Sequence, residues 1–189
     1  MPFYEPIKFV KLQGQGGMPA VLRAPEAATQ TMKIGTPIEL TSGYAQEANF
    51  GGTELVYGVS MEAGHNLAVA GTAQQSSEGT PQNQPSAVTT PVGAWMRDGK
   101  LGIYLANGVN VFSAMLLDGG VFVQSLVSST RYALVKDGTT GFWYVDNTSS
   151  GTNDEHAVNI LAVDPSSPNS ATLGARVWFM FAPAARYFD

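Results

Sequence analysis

RYALVKDGTTGFWYVD, residues 131–146, decides how the chain is read. Tyr132, Leu134 and Lys136 alternate with Ala133 and Val135, the period of a strand whose side chains point to opposite faces. Asp137-Gly138-Thr139-Thr140-Gly141 then supplies turn chemistry, and Phe142, Trp143, Tyr144 and Val145 resume an extended aromatic run. The stretch predicts a β-hairpin. Two strands alone are marginal in water, so the flanking sequence must supply more sheet.

Upstream, the punctuation is regular. Asp98-Gly99 parts Ala94–Arg97 from Lys100–Ala106, Asn107-Gly108 parts that run from Val109–Leu117, and Asp118-Gly119-Gly120 precedes Val121–Val127. Asn-Gly and Asp-Gly accept the positive φ of two-residue hairpin turns, so the spacing predicts an antiparallel meander of about six strands. Lys33–Leu40 reads as an earlier strand, with Pro37 marking an edge or a bulge and Thr41-Ser42-Gly43 turning it. Glu54–Glu62 follows, with Leu55, Tyr57, Val59 and Met61 on one face and Gly58 permitting a bend. Ala24–Thr31 has the composition for one or two helical turns at most.

Two strands close the chain, Ala157–Val163 and Ala175–Phe181. Val177, Phe179 and Phe181 alternate with Trp178 and Met180, so both faces of the last strand are apolar. That predicts burial on both sides, in a barrel wall or at a subunit contact. The expected fold is all-β: an antiparallel meander forming a small barrel or sandwich in one domain, residues 23–189. To this are added an extended N-terminal arm, residues 1–22, and one long polar loop, residues 71–93, too poor in apolar side chains to offset its own ordering entropy.

The arm is interrupted by Pro2, Pro6 and Pro19 and by Gly14, Gly16 and Gly17. Yet Phe3, Tyr4, Ile7, Phe9, Val10 and Leu12 are too apolar to be left in water. The arm packs on its own domain or reaches a neighbour, where an extended segment covers much surface. The terminal Tyr187 and Phe188 pose the same question.

Composition narrows the classes of function. Charged residues are 13% of the 189-residue chain, about half the share of an average soluble domain, so the surface must be built largely from Ser, Thr, Asn, Gln and Gly. The net charge is −5 and the ten Lys and Arg are scattered, which leaves nothing to neutralise a phosphate backbone and argues against nucleic acid as a partner. There is no cysteine, so disulfides, thiolate chemistry and Cys-based zinc sites are excluded. No run approaches the ~18 apolar residues of a membrane span. Met1-Pro2-Phe3-Tyr4-Glu5 lacks the pattern of a signal peptide, which predicts that the chain is made in the cytoplasm and that any export takes another route.

Candidate chemistry is sparse. His65 follows Glu62-Ala63-Gly64, and His156 follows Asp154-Glu155; adjacent residues of an extended chain diverge, which argues against a metal cluster there. A hydrolase would need one of these histidines beside a carboxylate or serine in space, and no G-x-S-x-G elbow is present. Gly14-Gln15-Gly16-Gly17 runs into Met18-Pro19 and not into a helix, so it predicts a hinge and no phosphate loop. Asp98, Asp118, Asp137, Asp146 and Asp164 occur one per turn and predict turns, not a calcium loop. Trp95, Trp143, Tyr144, Trp178 and Phe179 predict core or interface, with sugar stacking as the alternative. The expectation is no enzyme and no cofactor.

Three places resemble the decoration, or cement, proteins of tailed bacteriophage heads. They are Gly35-Thr36-Pro37-Ile38-Glu39-Leu40 with Ser42-Gly43 and Val56-Tyr57-Gly58-Val59-Ser60; the hairpin 131–146; and Ala162-Val163-Asp164-Pro165 leading to Ala175-Arg176-Val177-Trp178-Phe179. The resemblance implies a small β protein, commonly a homotrimer, that sits outside the shell and clamps adjacent major capsid protein subunits. On that expectation Phe3, Tyr4, Ile7, Phe9, Val10, Leu12, Trp178, Met180, Tyr187 and Phe188 form the capsid or subunit interface, with neither nucleic acid nor membrane as partner. A glycan-binding adhesin or phage tail-fibre module is the rival reading.

Overall fold

The computed structural model describes residues 5–12, 19–50, 55–67, 70–71, 99–117, 120–127, 130–151, 156–169 and 174–188, with Lys11 and Leu12 described by backbone only. Among the described residues there are eleven strands: β1 (Lys8–Leu12), β2 (Val21–Pro25), β3 (Pro37–Thr41), β4 (Tyr44–Glu47), β5 (Val56–Ser60), β6 (Lys100–Leu105), β7 (Asn110–Met115), β8 (Arg131–Lys136), β9 (Trp143–Gly151), β10 (Val158–Val163) and β11 (Arg176–Phe181). They form a six-stranded sheet, β1-β7-β11-β10-β8-β9, and a five-stranded sheet, β2-β6-β5-β3-β4, every neighbouring pair antiparallel. The two pack together as an all-β sandwich. Single bridges, Glu26 with Ala45 and Leu116 with Val145, draw the ends of each sheet inward, but no ladder continues from them and neither sheet closes into a barrel.

The hairpin 131–146 forms as β8 and β9. Asp137 Oδ1 accepts the backbone N–H groups of Thr139 (2.8 Å) and Thr140 (2.6 Å), and Gly141 turns at φ +70°. The aspartate shapes the turn, as its position predicts. Thr140, then Thr139, donating to the carboxylate hold its pKa below the ordinary value. Asp146 caps a bulge in the same way, accepting from Thr148 N–H at 2.8 Å and Ser149 N–H at 3.2 Å, and Asp164 caps the turn after β10 by accepting from Ser166 N–H at 3.0 Å. Asp98 and Asp118 lie outside the described residues.

The meander is corrected. Asn107 makes its turn, its Oδ1 accepting from Val109 and Asn110 N–H, but the strands on either side part company. β6 pairs with β2 and β5 while β7 pairs with β1 and β11, so residues 106–109 cross from one sheet to the other. Val121–Val127 is not a strand. The Asn169 side chain accepts Phe122 N–H at 2.8 Å and donates to Phe122 C=O at 3.1 Å, taking both groups a ladder would use, and Gln124–Leu126 winds into one 3₁₀ turn. Ala24-Pro25 ends β2 where a helical turn was expected, and β4, unmarked in the sequence, pairs with β3 across a tight turn at Ser42 (φ +52°) and Gly43 (φ +84°).

There are two cores. Phe112, Phe179, Phe181, Val177, Ile160 and Val145 of the six-stranded sheet meet Val56 and Val59 of the other. Ala24, Ile38, Ala45, Tyr57, Leu101 and Ile103 form a second cluster with Met32. Along β6, Leu101 and Ile103 enter the second cluster while Tyr104 packs on the first, so the five-stranded sheet is apolar on both faces. Hence the strand of apolar residues on both faces is not unique to β11.

Gly58 in β5 lies against β6 with no room for a side chain. A Cβ there would lie 2.2 Å from Tyr104 C=O and 2.5 Å from Ile103 Cγ2, so close approach demands the glycine more than any bend does. We expect Gly58→Ala to cost about 2 kcal/mol or more, read from the denaturant midpoint; an unchanged midpoint would show that β5 and β6 have room to part.

The sheets are also fastened by polar contacts. The Glu47 carboxylate takes Lys136 Nζ at 2.7 Å and Trp143 Nε1 at 3.0 Å, and Lys33 Nζ donates to Thr140 C=O at 2.6 Å while lying 4.6 Å from the centre of the Phe142 ring. Glu26, past the end of β2, accepts Gly71 N–H on its carbonyl (2.7 Å) and donates its own N–H to Gly99 C=O (2.9 Å). Those two glycines are the described flanks of the long polar stretch; residues 72–98, with Trp95 among them, lie outside the described residues.

Candidate interaction surface

Residues 5–12 lie on their own domain. β1 pairs with β7 from Lys8↔Ser113 to Leu12↔Asn110, and Ile7, 3% exposed, belongs to the inter-sheet core. Ile7 is therefore corrected from interface to core, because its side chain is already desolvated. Phe9 also turns inward, stacked on Tyr104 at 5.1 Å and edge-on to Phe112 at 6.3 Å. Gly35, at φ +80°, lets the arm pass: a Cβ there would meet Ile7 C=O at 2.5 Å. Phe3, Tyr4, the side chain of Leu12 and the Gly14–Gly17 hinge lie outside the described residues.

What fastens the arm is Arg176, a residue that nothing in the sequence singles out. It opens β11, its side chain is 6% exposed, and it donates from Nε to Ser113 Oγ (2.8 Å), from Nη1 to Glu5 (2.7 Å) and from Nη2 to Pro6 C=O (2.6 Å) and Ser113 C=O (3.2 Å). Lys8 adds a second cation to Glu5 at 2.9 Å, and chiefly through it the Glu5 carboxyl sits below its ordinary pKa. A cleft of about 570 Å³ opens beside this group, lined by Lys8, Val10, Met115, Asp164 and Pro168 among others. The guanidinium spends its donors on the chain itself, so the cleft holds a fastening more than a binding group.

Trp178 and Met180 point away from the core, half-buried on the outer face of the six-stranded sheet, where Trp178 lies beside Asp164. Phe188 packs on Tyr57 at 4.9 Å between ring centres, so the chain end covers its own domain. Tyr187 is 54% exposed, its ring 5.4 Å from Tyr57 and 5.1 Å from Phe188.

Tyr187 has company that the sequence does not announce. Its N–H donates to Val56 C=O, Val56 bridges Arg186, and Arg186 Nη1 lies 2.6 Å from where a Gly108 Cβ would be. Ala20 C=O accepts from Leu105 N–H and Asn110 Nδ2. These contacts gather Val21, Leu22, Leu55, Val109 and Tyr187 at one end of the sandwich, each 41–54% exposed. Scattered apolar side chains are ordinary on a surface, and Val21 and Leu22, consecutive in β2, face opposite sides of the sheet, so the five lie at one end without making one continuous face.

Both histidines have neighbours. His65 Nδ1 lies 2.6 Å from Glu26 Oε2 and Nε2 lies 3.5 Å from Glu62 Oε2. His156 Nε2 lies 3.3 Å from Ser149 Oγ, but among the described residues its buried Nδ1 meets no acceptor, and a serine–histidine pair without an orienting carboxylate is short of a triad. Asp146, which faces His156, spends Oδ1 on Thr148 and Ser149. Asp154 and Glu155 lie outside the described residues. Among the described residues no group of three His, Asp or Glu side chains could hold a metal ion.

No described protein family, curated protein or solved structure matches the chain.

Proposed function

We propose that this chain is a non-enzymatic decoration protein of a tailed-bacteriophage head, a component of the virion's outer capsid surface. In this reading it associates with copies of itself, as a homotrimer, and clamps neighbouring major capsid protein subunits. The observation that carries the proposal is the group of exposed apolar side chains at one end of the sandwich, Val21, Leu22, Leu55, Val109 and Tyr187, on a protein with few charges. Burial of such side chains on a shell stabilises by roughly 25 cal/mol per Å² before ordering costs. The phrases at 34–60, 131–146 and 162–179 that resemble cement proteins point the same way.

Deleting residues 1–12 would remove β1 and Ile7 from the fold and would test stability more than binding. Leu22→Asp with Val109→Asp changes two side chains that are each more than 40% exposed. We expect the wild type to coat undecorated heads and the double variant, at unchanged thermal stability, to lose occupancy by about tenfold or more, counted by cryo-imaging. Wild-type protein that leaves bare heads bare would end the proposal; equal occupancy of the double variant would remove these side chains from it.

One observation favours the rival. Tyr187, Phe188 and Tyr57 form an aromatic group with one ring exposed, a surface on which a sugar can stack. A glycan array separates the two: a fibre module gives saccharide-specific hits, a decoration protein gives none.

A further inference from the structure

We propose that the buried Glu26–His65 ion pair is a charge latch that seats the strap 61–67 on the five-stranded sheet and loosens when the imidazole loses its proton. The strap follows β5 and is laid down by backbone bonds: Met61 N–H to Gly102 C=O, Gly64 N–H to Met32 C=O, Asn66 N–H to Gln30 C=O, and Thr29 N–H to Leu67 C=O. Its side-chain tie to the end of β2 is His65. Glu26, fully buried, accepts the His65 backbone N–H on Oε1 at 2.7 Å and faces Nδ1 with Oε2 at 2.6 Å in an ion pair; among the described residues neither Oε2 nor Nδ1 is engaged elsewhere.

Among the described residues the charged groups around the ring are Glu26 from just past β2 and Glu62 from the strap itself; Glu62 in turn accepts Gly102 N–H at 2.9 Å and lies 3.9 Å from Arg23. Each ring nitrogen therefore faces a carboxylate. Only the imidazolium can donate from both; the neutral ring keeps one N–H and turns a lone pair on the other carboxylate. With Glu26 out of water, losing its counter-charge is the expensive event.

Solution behaviour follows with a definite sign. Burial is the largest single influence on His65 and opposes its charge, but contacts with Glu26 and then Glu62 outweigh it and raise the pKa from 6.5 to about 9. A proton held more tightly by the folded chain than by the unfolded one stabilises fully below pH 6.5 and ceases to as pH rises through about 9.

Amide hydrogen exchange of the intact chain, corrected for intrinsic rates and compared on the two sides of that window, reads the latch directly. Protection of Gly64, His65 and Asn66 is expected to fall at least about tenfold more than that of Phe112 and Phe179, the equivalent of one pKa unit. In His65→Gln that difference between strap and core disappears. Equal loss in strap and core of the wild type would overturn the proposal. So would an imidazole titration by NMR with its midpoint at or below 6.5, a measurement that needs no variant to fold.

Discussion

Phe112→Ala destabilises the protein by about 4 kcal/mol and lowers its melting temperature by roughly 10 °C. Phe112 is fully buried in β7, where the strand is paired on one side with the arm and on the other with β11. Its ring meets Phe181 at 5.5 Å, Phe179 at 5.9 Å and Phe9 at 6.3 Å. Truncation removes one member from each of these aromatic pairs and leaves a hole that three rings fixed on paired strands cannot close. Equilibrium urea unfolding tests it, and a loss below about 1 kcal/mol would mean the sheets collapse into the space.

Arg176→Met is the second large effect, about 3 kcal/mol, and its signature is local. Ser113 Oγ, Ser113 C=O, Pro6 C=O and Glu5 all lose a charged donor at once. Glu5 retains Lys8 and partial exposure, so the buried Ser113 carbonyl and hydroxyl, with the half-buried Pro6 carbonyl, account for most of the cost. Protease cleavage within residues 5–12 should rise sharply while β8 and β9 stay protected. Glu5→Gln, which leaves the other three bonds in place, should cost much less. If both variants melt together, the guanidinium contributes only as a point charge and the bonding pattern described here does not matter.

Much of the fold was legible because it is local. The hairpin at 131–146 needs only an alternating run, an aspartate and a glycine, all within sixteen residues of sequence, and the structure uses each as read. Asn107-Gly108 shows the limit. The turn forms, yet whether the strands beside a turn pair or separate depends on partners such as β1 and β11 that lie far off in the chain. Likewise Phe122 has strand-like neighbours and is claimed by Asn169, 47 residues away. Of the expected interface, Tyr187 is found well exposed and Ile7 is not, because apolar character alone does not say which surface an arm will cover. The pairing of Glu26 with His65 spans 39 residues and has no local signal; a glutamate among alanines and a histidine after glycine are unremarkable until the fold closes them together.

Glu26 also fixes how this chain can vary. One residue holds both Gly71 and Gly99 through its own main chain, so the two described flanks of the stretch between them are anchored at a single point. Closing a loop over a fixed gap depends only weakly on its length, each doubling adding about 0.6 kcal/mol. The spacing of the two flanks is thus set by Glu26 and not by the length of chain that joins them. The position is a natural port for grafting foreign sequence, from a short epitope tag to a folded domain whose ends lie close together.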